Sequence, residues 1–453
     1  MGVYQIFALL AAVLPSRVFS PDGTVFVRAD LKRGWAATAA VVALVALFVA
    51  YVIVFDRAVL EAHPASVLAG LPLRFVNAVT KEGVRASFAD ELLVLAFAEA
   101  LALGVFLFHL GALEPRVRRA TIGFVALALA AAALATPATD SGDPYFYVGL
   151  ATLGAHAYAP PGAPFTGDLR AINAIWGTPV YASSYGPVWI ALSALLVAPL
   201  GTLAAKLFAF KVLGLAAVIA CAYLARRLGA SPIVVAGIAC NPALYVAYVA
   251  GAHNDLLAVD LVLAALLACR ESVSLAFAAA LAASLVKPTL APIAMVAFAG
   301  VPSLRVRVGV SALLALVVAA IYAFDGGLLF HALTRTVGAF AHPMTPADAV
   351  LRVTLVAVAI ASCVWIVLTG RVRSGTAWAP PAFGGAALPS YAIWGLPLAL
   401  ETAPVALVYL VTLPFLLFFQ STALPATNAL DLTGEAFVAT IIIVAAYRLR
   451  PRH

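Results

Sequence analysis

Long apolar runs recur along the 453-residue chain, and short polar segments separate them. The runs show no alternation of apolar and polar positions, so they predict α-helices and not the strands of a transmembrane barrel. A bilayer core takes about 20 apolar residues of helix. We therefore predict an all-α, polytopic bundle of about 12–14 transmembrane helices. The predicted spans lie near residues 35–54, 91–113, 120–137, 205–225, 231–250, 256–269, 272–287, 289–303, 307–324, 349–369, 375–390, 403–420 and 435–447, with a short broken helix over 391–402.

Composition and charge agree with this pattern. Hydrophobic residues make up 64% of the chain and charged residues 10%, whereas a soluble domain has about 25% charged residues. The formal net charge is +7, but the basic residues stand in short clusters between apolar runs, as membrane topology signals do. A nucleic-acid partner is therefore not expected. Clusters such as Arg116–Arg119, Arg226-Arg227 and Arg305–Arg307 should be cytoplasmic, and so should both termini.

Five segments follow from the pattern. Residues 1–34 are predicted as a cytoplasmic or interfacial N-terminus, and 35–137 as N-terminal transmembrane helices with an amphipathic outer loop at 55–90, which could form a helix on the membrane surface. Residues 138–204 form a long outer loop with few regular patterns, followed by a juxtamembrane helix from Pro187 to Leu200. Residues 205–400 are a transmembrane module, and 401–453 are the C-terminal transmembrane helices.

Candidate chemistry lies on the outer side of this topology. An acid there could act as a general base, and cations could take up charge on a departing phosphate. Each feature also has an ordinary interpretation: a helix cap for Asp140 or Asp143, a polar turn for 253–255, and a lysine that reaches the headgroups at 287. The outer candidates are Asp140, Asp143, Tyr145 and Tyr147; Tyr185; His253, Asn254 and Asp255; Lys287; and Arg335.

Two further expectations concern metals and the ionisable residues within spans. The chemistry requires no metal, although Asp140, Asp143 and Asp255 could share a divalent cation; the sequence lacks the compact carboxylate cluster that hard cations use. The ionisable residues within spans form no recognisable relay, and we interpret them as structural contacts between helices. They are Glu99, His109, Lys211 and Asp260.

Three segments together resemble one known family. They are Asp143-Pro-Tyr-Phe-Tyr147, Trp176-Gly-Thr-Pro-Val-Tyr-Ala-Ser-Ser-Tyr-Gly-Pro187, and Asn241-Pro242 followed by Gly251-Ala-His-Asn-Asp255. Weaker matches are Lys287-Pro-Thr289 and Pro389-Ser-Tyr-Ala-Ile-Trp394. They resemble the polyprenol-phosphate-mannose-dependent α-1,6-mannosyltransferases of the GT-C class of membrane glycosyltransferases, over residues of about 120 to 400. One departure is Pro144, where the family more often has an aliphatic residue.

The resemblance implies a mechanism. Asp143 would deprotonate an acceptor hydroxyl, which attacks the anomeric carbon with inversion, and Tyr145 and Tyr147 would shape the sugar pocket. Asp255 would match the class's second acidic position, and Lys287 would meet the phosphate of the polyprenyl-phosphate donor. The acceptor would be a lipid-linked or glycan hydroxyl on the outer face of the cell membrane. Asp140, three residues before Asp143, competes for the role of base.

Two alternatives stay open from the sequence. A polytopic transporter or lipid flippase would have the same hydrophobicity, but transporters place coupling charges near the midplane and often show repeats. Here the polar candidates lie at outer helix ends, and no internal repeat is evident. The second alternative is a GT-C enzyme that uses a different polyprenyl-phosphate sugar, such as arabinose.

Overall fold

A computed structural model describes residues 32–61, 77–111, 113–136, 143–160, 162–170, 172–173, 182–323, 357, 360–371, 393–401 and 403–421. Within these ranges all regular elements are helices, which confirms the predicted all-α class. Of the candidate residues, Asp140 and Arg335 lie outside the described residues.

The first two helices are longer than a bilayer requires. Helix α1 (Lys32–Glu61) and helix α2 (Asn77–Leu110) have 30 and 34 residues and pack against each other. At 1.5 Å per residue they extend about 45 and about 51 Å, beyond a hydrocarbon core of about 30 Å. The described parts of 55–90 thus continue these two helices and do not form a loop. That this region lies on the membrane surface stays a prediction. Extending an existing helix costs less than nucleating a new one.

The turns between the next helices carry ordinary capping residues. Helix α3 (Pro115–Ala135) begins with proline, and the Glu114 carboxylate accepts hydrogen bonds from two backbone N–H groups of its first turn. Thr202 caps helix α6 (Leu203–Leu228) in the same way, and Gly229 ends that helix with φ +103°. The short connection at Gly229 packs α6 against the next helix along the chain.

The segment 138–204 is more regular than its sequence suggests. It contains helix α4 (Asp143–Leu153), two 3₁₀ turns (Gly154–Tyr158 and Gly167–Leu169) and helix α5 (Pro187–Val197). The expectation of few regular patterns is therefore wrong at 143–153. Helix α5 lies where the juxtamembrane helix was predicted, although it ends at Val197.

The second half of the bundle surrounds one buried helix. Leu256, Val259 and Leu263 of helix α8 (Asp255–Ala268) are fully buried, and α8 packs against α6 and α9 (Val273–Val286). The turn before α8 is π-helical, at Tyr245–Ala250. The elements of this half are α7 (Pro232–Ala239), α8 (Asp255–Ala268), α9 (Val273–Val286), a helical segment broken into short pieces (Pro288–Gly300), α10 (Leu304–Ala323), α11 (Ile360–Thr369), α12 (Leu396–Ala399) and α13 (Ala403–Ser421).

Apolar helices with exposed apolar faces identify a membrane protein. Among the described residues, α3, α6 and α10 are long and apolar enough to cross a membrane. A fourth span results if Pro232–Ala239 and Pro242–Ala250, bent by 43°, count as one. Other apolar helices have 10–17 residues. Leu127, Ile219 and Leu316 are 70%, 62% and 66% exposed on the three long helices, which a lipid solvent favours. The total of 12–14 spans stays a prediction.

Two buried cations tie helix ends together. The Lys211 ammonium donates to the carbonyls of Leu134 and Thr136 at the end of α3. The Arg307 guanidinium donates to carbonyls at both Val301 and Val367, near the ends of two different helical segments. Helix ends leave carbonyls without intrahelical partners, so each cation stabilises a junction. For Lys211 this confirms the predicted structural contact between helices.

Candidate active site

Helix α4 brings Asp143 and Tyr147 together. The two residues are four apart, so they lie on one face of the helix, and the Tyr147 hydroxyl donates to Asp143 Oδ2 at 3.2 Å. Tyr145 is two residues from Asp143, on the opposite side of the helix, and is buried there. Pro144 in the first turn is compatible with the helix, because a first-turn N–H has no intrahelical acceptor.

Two residues from distant parts of the chain complete the surroundings of Asp143. The Tyr185 hydroxyl donates to Asp143 Oδ2 at 3.1 Å, and His253 Nδ1 lies 3.1 Å from the same oxygen. An ionised carboxylate can only accept hydrogen bonds, so this contact requires a proton on His253 Nδ1. The Asp143 side chain is still 21% exposed, so a hydroxyl group can reach it.

Aromatic rings fix Tyr147 behind the carboxylate. Its ring centroid lies 4.8 Å from Trp189, 5.2 Å from Tyr185 and 5.5 Å from Phe210. Burial raises the pKa of the Tyr147 phenol well above its ordinary value, and the neighbouring Asp143 carboxylate raises it further. The phenol therefore stays protonated and remains a hydrogen-bond donor.

The Tyr-Gly-Pro segment joins this group to the end of helix α9. A Cβ atom on Gly186 would lie 2.0 Å from the backbone oxygen of Leu285, so only glycine fits this contact. The Gly186 N–H donates to the Val286 carbonyl at 3.2 Å. Tyr185 is thereby held beside Lys287, whose ammonium lies 5.8 Å from the centre of the tyrosine ring.

Lys287 belongs to a second, fully enclosed group. Its Nζ donates to Asp255 Oδ1 at 2.5 Å, and the Trp394 indole N–H donates to the same oxygen at 2.9 Å. Asp255 is fully buried and Lys287 is 4% exposed. The ammonium also lies 5.7 Å from the centre of the Trp394 ring system. Lys287 is therefore an ion-paired, desolvated cation, and it does not extend to the headgroups.

The structure thus brings most of the predicted residues together. Asp143, Tyr147, Tyr185 and His253 make one hydrogen-bonded group, and Asp255 and Lys287 make the other. Asn254, which lies between His253 and Asp255 in the sequence, is also buried. Trp189 and Phe210 were not predicted from the sequence, because their apolar rings carry no polar chemistry to mark them. Trp394 was not among the candidate residues either, although the weak match ending at this tryptophan pointed to it.

No metal centre is formed by the described residues. Within the described ranges no three His, Cys, Asp or Glu side chains are grouped so that they could hold an ion. Asp143 and Asp255 each accept hydrogen bonds from their own donors. The arrangement instead offers a partly exposed carboxylate, a buried ammonium and aromatic walls, which suit a hydroxyl nucleophile, an anionic leaving group and a sugar ring.

A comparison with protein families decides the class. The family model described as alpha-(1->6)-mannopyranosyltransferase, N-terminal domain, matches residues 92–304, just under half of the chain. Residues 92–304 thus match the N-terminal domain of the α-(1→6)-mannopyranosyltransferase family, which confirms the predicted resemblance over this segment. Both groups of the site lie within the match except Trp394. The match begins before residue 120, where we placed the start of the resemblance, and the weak match at 389–394 lies beyond its end.

The protein is accordingly a membrane mannosyltransferase. No curated protein and no solved structure matches the chain. The residue roles in this mannosyltransferase therefore rest on its own geometry.

Proposed function

We propose that this mannosyltransferase moves a mannosyl group from a polyprenyl-phosphate donor to a hydroxyl of a lipid-linked or glycan acceptor, with inversion. The observation that carries the proposal is Asp143: one carboxylate oxygen is held by three donors, and the side chain is still open to a substrate. Hydrogen bonds of this kind favour the ionised carboxylate, so Asp143 is ready to accept a proton.

The proposed step is a displacement at the anomeric carbon of the donor sugar. The acceptor oxygen forms a bond to the anomeric carbon while the bond from that carbon to the phosphate oxygen breaks. The hydroxyl proton passes to Asp143, and the electron pair leaves with the polyprenyl phosphate. Lys287 supplies positive charge to the departing phosphate, although Asp255 already neutralises part of that charge. Arg335, outside the described residues, is proposed as the second cation.

The site is proposed to face outward, with both termini in the cytoplasm. The support is the placement of the basic clusters, which sets the topology of short loops.

A monophosphate leaving group needs no metal where lysine or arginine can meet it, so we expect transfer in membranes to continue in excess chelator. Loss of transfer in chelator, restored by a divalent cation, would contradict this part of the proposal.

The deciding experiment measures transfer of labelled mannose from polyprenyl-phosphate-mannose in membranes that express the full chain. Asp143→Asn should abolish transfer while the protein stays folded and inserted, because the amide cannot accept the proton. Asp168→Asn is the matched control, since Asp168 is an exposed carboxylate of the same outer segment. Near-normal turnover by Asp143→Asn would move the base to Asp140 or Asp255. No transfer by the unaltered protein, followed by transfer from another polyprenyl-phosphate sugar, would reject mannose.

A further inference from the structure

Asn254 stands where a helix cap is expected and does not act as one. It occupies the N-cap position of α8, where an asparagine side chain commonly accepts a hydrogen bond from the first turn. Its side chain makes no capping bond. The residue is 2% exposed, and neither its Oδ1 nor its Nδ2 has a hydrogen-bond partner among the described residues. A buried amide in this condition is unfavourable unless an ordered water or a ligand completes it.

The backbone around Asn254 is bent in a specific way. The π-helical turn Tyr245–Ala250 precedes it, and Ala252 has φ +50°, a left-handed conformation that is strained for alanine. The His253 N–H donates to the Ala247 carbonyl at 3.2 Å and fixes the bend. Side chains on either side of Asn254 then turn to the two groups of the site, His253 to Asp143 and Asp255 to Lys287. Such distortions are concentrated at functional sites.

Asp255 contributes a third atom of the same kind. Its Oδ1 accepts from both Lys287 and Trp394, while its buried Oδ2 has no partner among the described residues. Together Asn254 and Asp255 thus present one N–H₂ donor and two acceptor oxygens, one of them charged. An ionised phosphate only accepts hydrogen bonds and is repelled by a carboxylate, so it does not match this set. Neighbouring sugar hydroxyls, which both donate and accept, do match it.

We propose that Asn254, together with Asp255 Oδ2, binds hydroxyl groups of the donor sugar and determines which sugar the enzyme accepts. The inference rests on the proposed function, because it takes the ligand to be a polyprenyl-phosphate sugar. The sugar end of the donor then lies at Asn254, apart from its phosphate end. A site built to hydrogen-bond a hydroxyl strongly rejects a sugar that lacks this hydroxyl, because the buried groups of the site are then left unpaired.

The first test compares two buried asparagines in detergent-purified full-length protein without donor. Asn241 is buried, its Nδ2 donates to the Leu410 carbonyl, and its Oδ1 accepts from the Ala243 N–H. Asn241→Ala removes bonds that exist and should lower the melting temperature. Asn254→Ala removes two unpartnered buried groups, so the melting temperature should stay the same or rise. A fall as large as that of Asn241→Ala would show that Asn254 is structural and would overturn the inference.

The second test measures kcat/KM with polyprenyl-phosphate-mannose and with its 2-deoxy, 3-deoxy and 4-deoxy analogues. For the unaltered enzyme, kcat/KM with at least one analogue should be about 100-fold lower than with the full sugar, or lower still. In Asn254→Ala, kcat/KM with the full sugar should fall by a similar factor. The variant should then show little further decrease with that analogue, because the hydrogen bond to the missing hydroxyl has already been removed. Full activity and full discrimination in Asn254→Ala would refute the inference and leave the proposed function standing. No transfer by the unaltered enzyme from the mannosyl donor would refute the function instead.

Discussion

Each donor that holds Asp143 comes from a different stretch of chain. Tyr147 lies one helical turn further along α4, Tyr185 precedes α5, and His253 precedes α8. Hydrogen bonds to an ionised group are stronger than those between neutral groups. The carboxylate is therefore a junction between three elements as well as a candidate base, and its orientation depends on all three.

Removing a single phenol hydroxyl should weaken the site without destroying it. Tyr185→Phe and Tyr147→Phe keep the rings and each delete one donor to Asp143, and a hydrogen bond to a charged group contributes about 1.5–3 kcal/mol. We expect kcat to fall roughly 10- to 100-fold in each variant. The double variant should fall by less than the product, because the two donors share one acceptor. Steady-state transfer kinetics provide the measurement. A loss equal to that of Asp143→Asn in either single variant would contradict it.

The Lys287–Asp255 pair should respond differently from Asp143. Lys287→Met or Asp255→Asn leaves one buried charge without its partner, which typically costs about 3–5 kcal/mol of stability. The double variant, with no charge left, should recover much of this stability yet still use the donor poorly, because the cation for the phosphate is absent. Thermal unfolding and donor KM, measured on all three variants, separate the two effects. If both single variants were as stable as the unaltered protein, the Lys287–Asp255 ion pair would contribute little to stability, and this prediction would be wrong.

At the scale of elements, Gly186 sets how closely the loop before α5 approaches the end of α9. Its contact with the Leu285 carbonyl fixes the position of Tyr185 on one side and Lys287 on the other. The glycine is required here by close approach of two backbones, since no side chain could be accommodated.

Gly186→Ala should therefore separate the two groups of the site. The added methyl must push the two backbones apart, which typically costs about 1–3 kcal/mol and misplaces both Tyr185 and Lys287. We expect transfer to fall at least 100-fold, because a displacement of about 1 Å can have that effect. Gly201→Ala is the control, since nothing lies within 4 Å of a Cβ built there. The measurements are mannose transfer and the melting temperature of both variants; equal transfer by the two would refute the argument.

The sequence predicted long apolar helices well and failed where burial hides periodicity. In α4, residues 144–151 are all buried, so no polar face marks the helix in the sequence. Asp143 followed by Pro144 was the available signal, since acidic residues and proline favour a first helical turn. The partners within the site were not predictable, because Asp143 and His253 are 110 residues apart in sequence. Only packing of α4 against the later helices decides such pairs.

At the scale of the whole molecule, the apolar faces of α3, α6 and α10 show what surrounds the protein, while its orientation rests on charge. The basic residues between spans predict that Arg270 and its neighbours are cytoplasmic and that the segment around Asp168 is outside. Hydropathy alone does not distinguish the two faces.

Cysteine labelling in intact cells should establish the orientation. Asp168 and Glu271 are both exposed, and the native Cys269 is replaced by alanine to avoid its reaction. Asp168→Cys should react with a membrane-impermeant maleimide in intact cells, whereas Glu271→Cys should react only after the membrane is permeabilised. The reverse pattern would place the candidate site on the cytoplasmic side and remove the outer-face proposal, although the geometry of the site would be unaffected.

Tyr185 has a consequence for how the enzyme rests between turnovers. Its hydroxyl binds the Asp143 carboxylate, its ring lies over the Lys287 ammonium, and its carbonyl accepts from Tyr158 at 3.2 Å. The phenol thus lies between the Asp143 carboxylate and the Lys287 ammonium and keeps the two groups apart. In the resting enzyme Lys287 is therefore paired with Asp255 and not with Asp143, so the candidate base keeps its charge for the substrate hydroxyl.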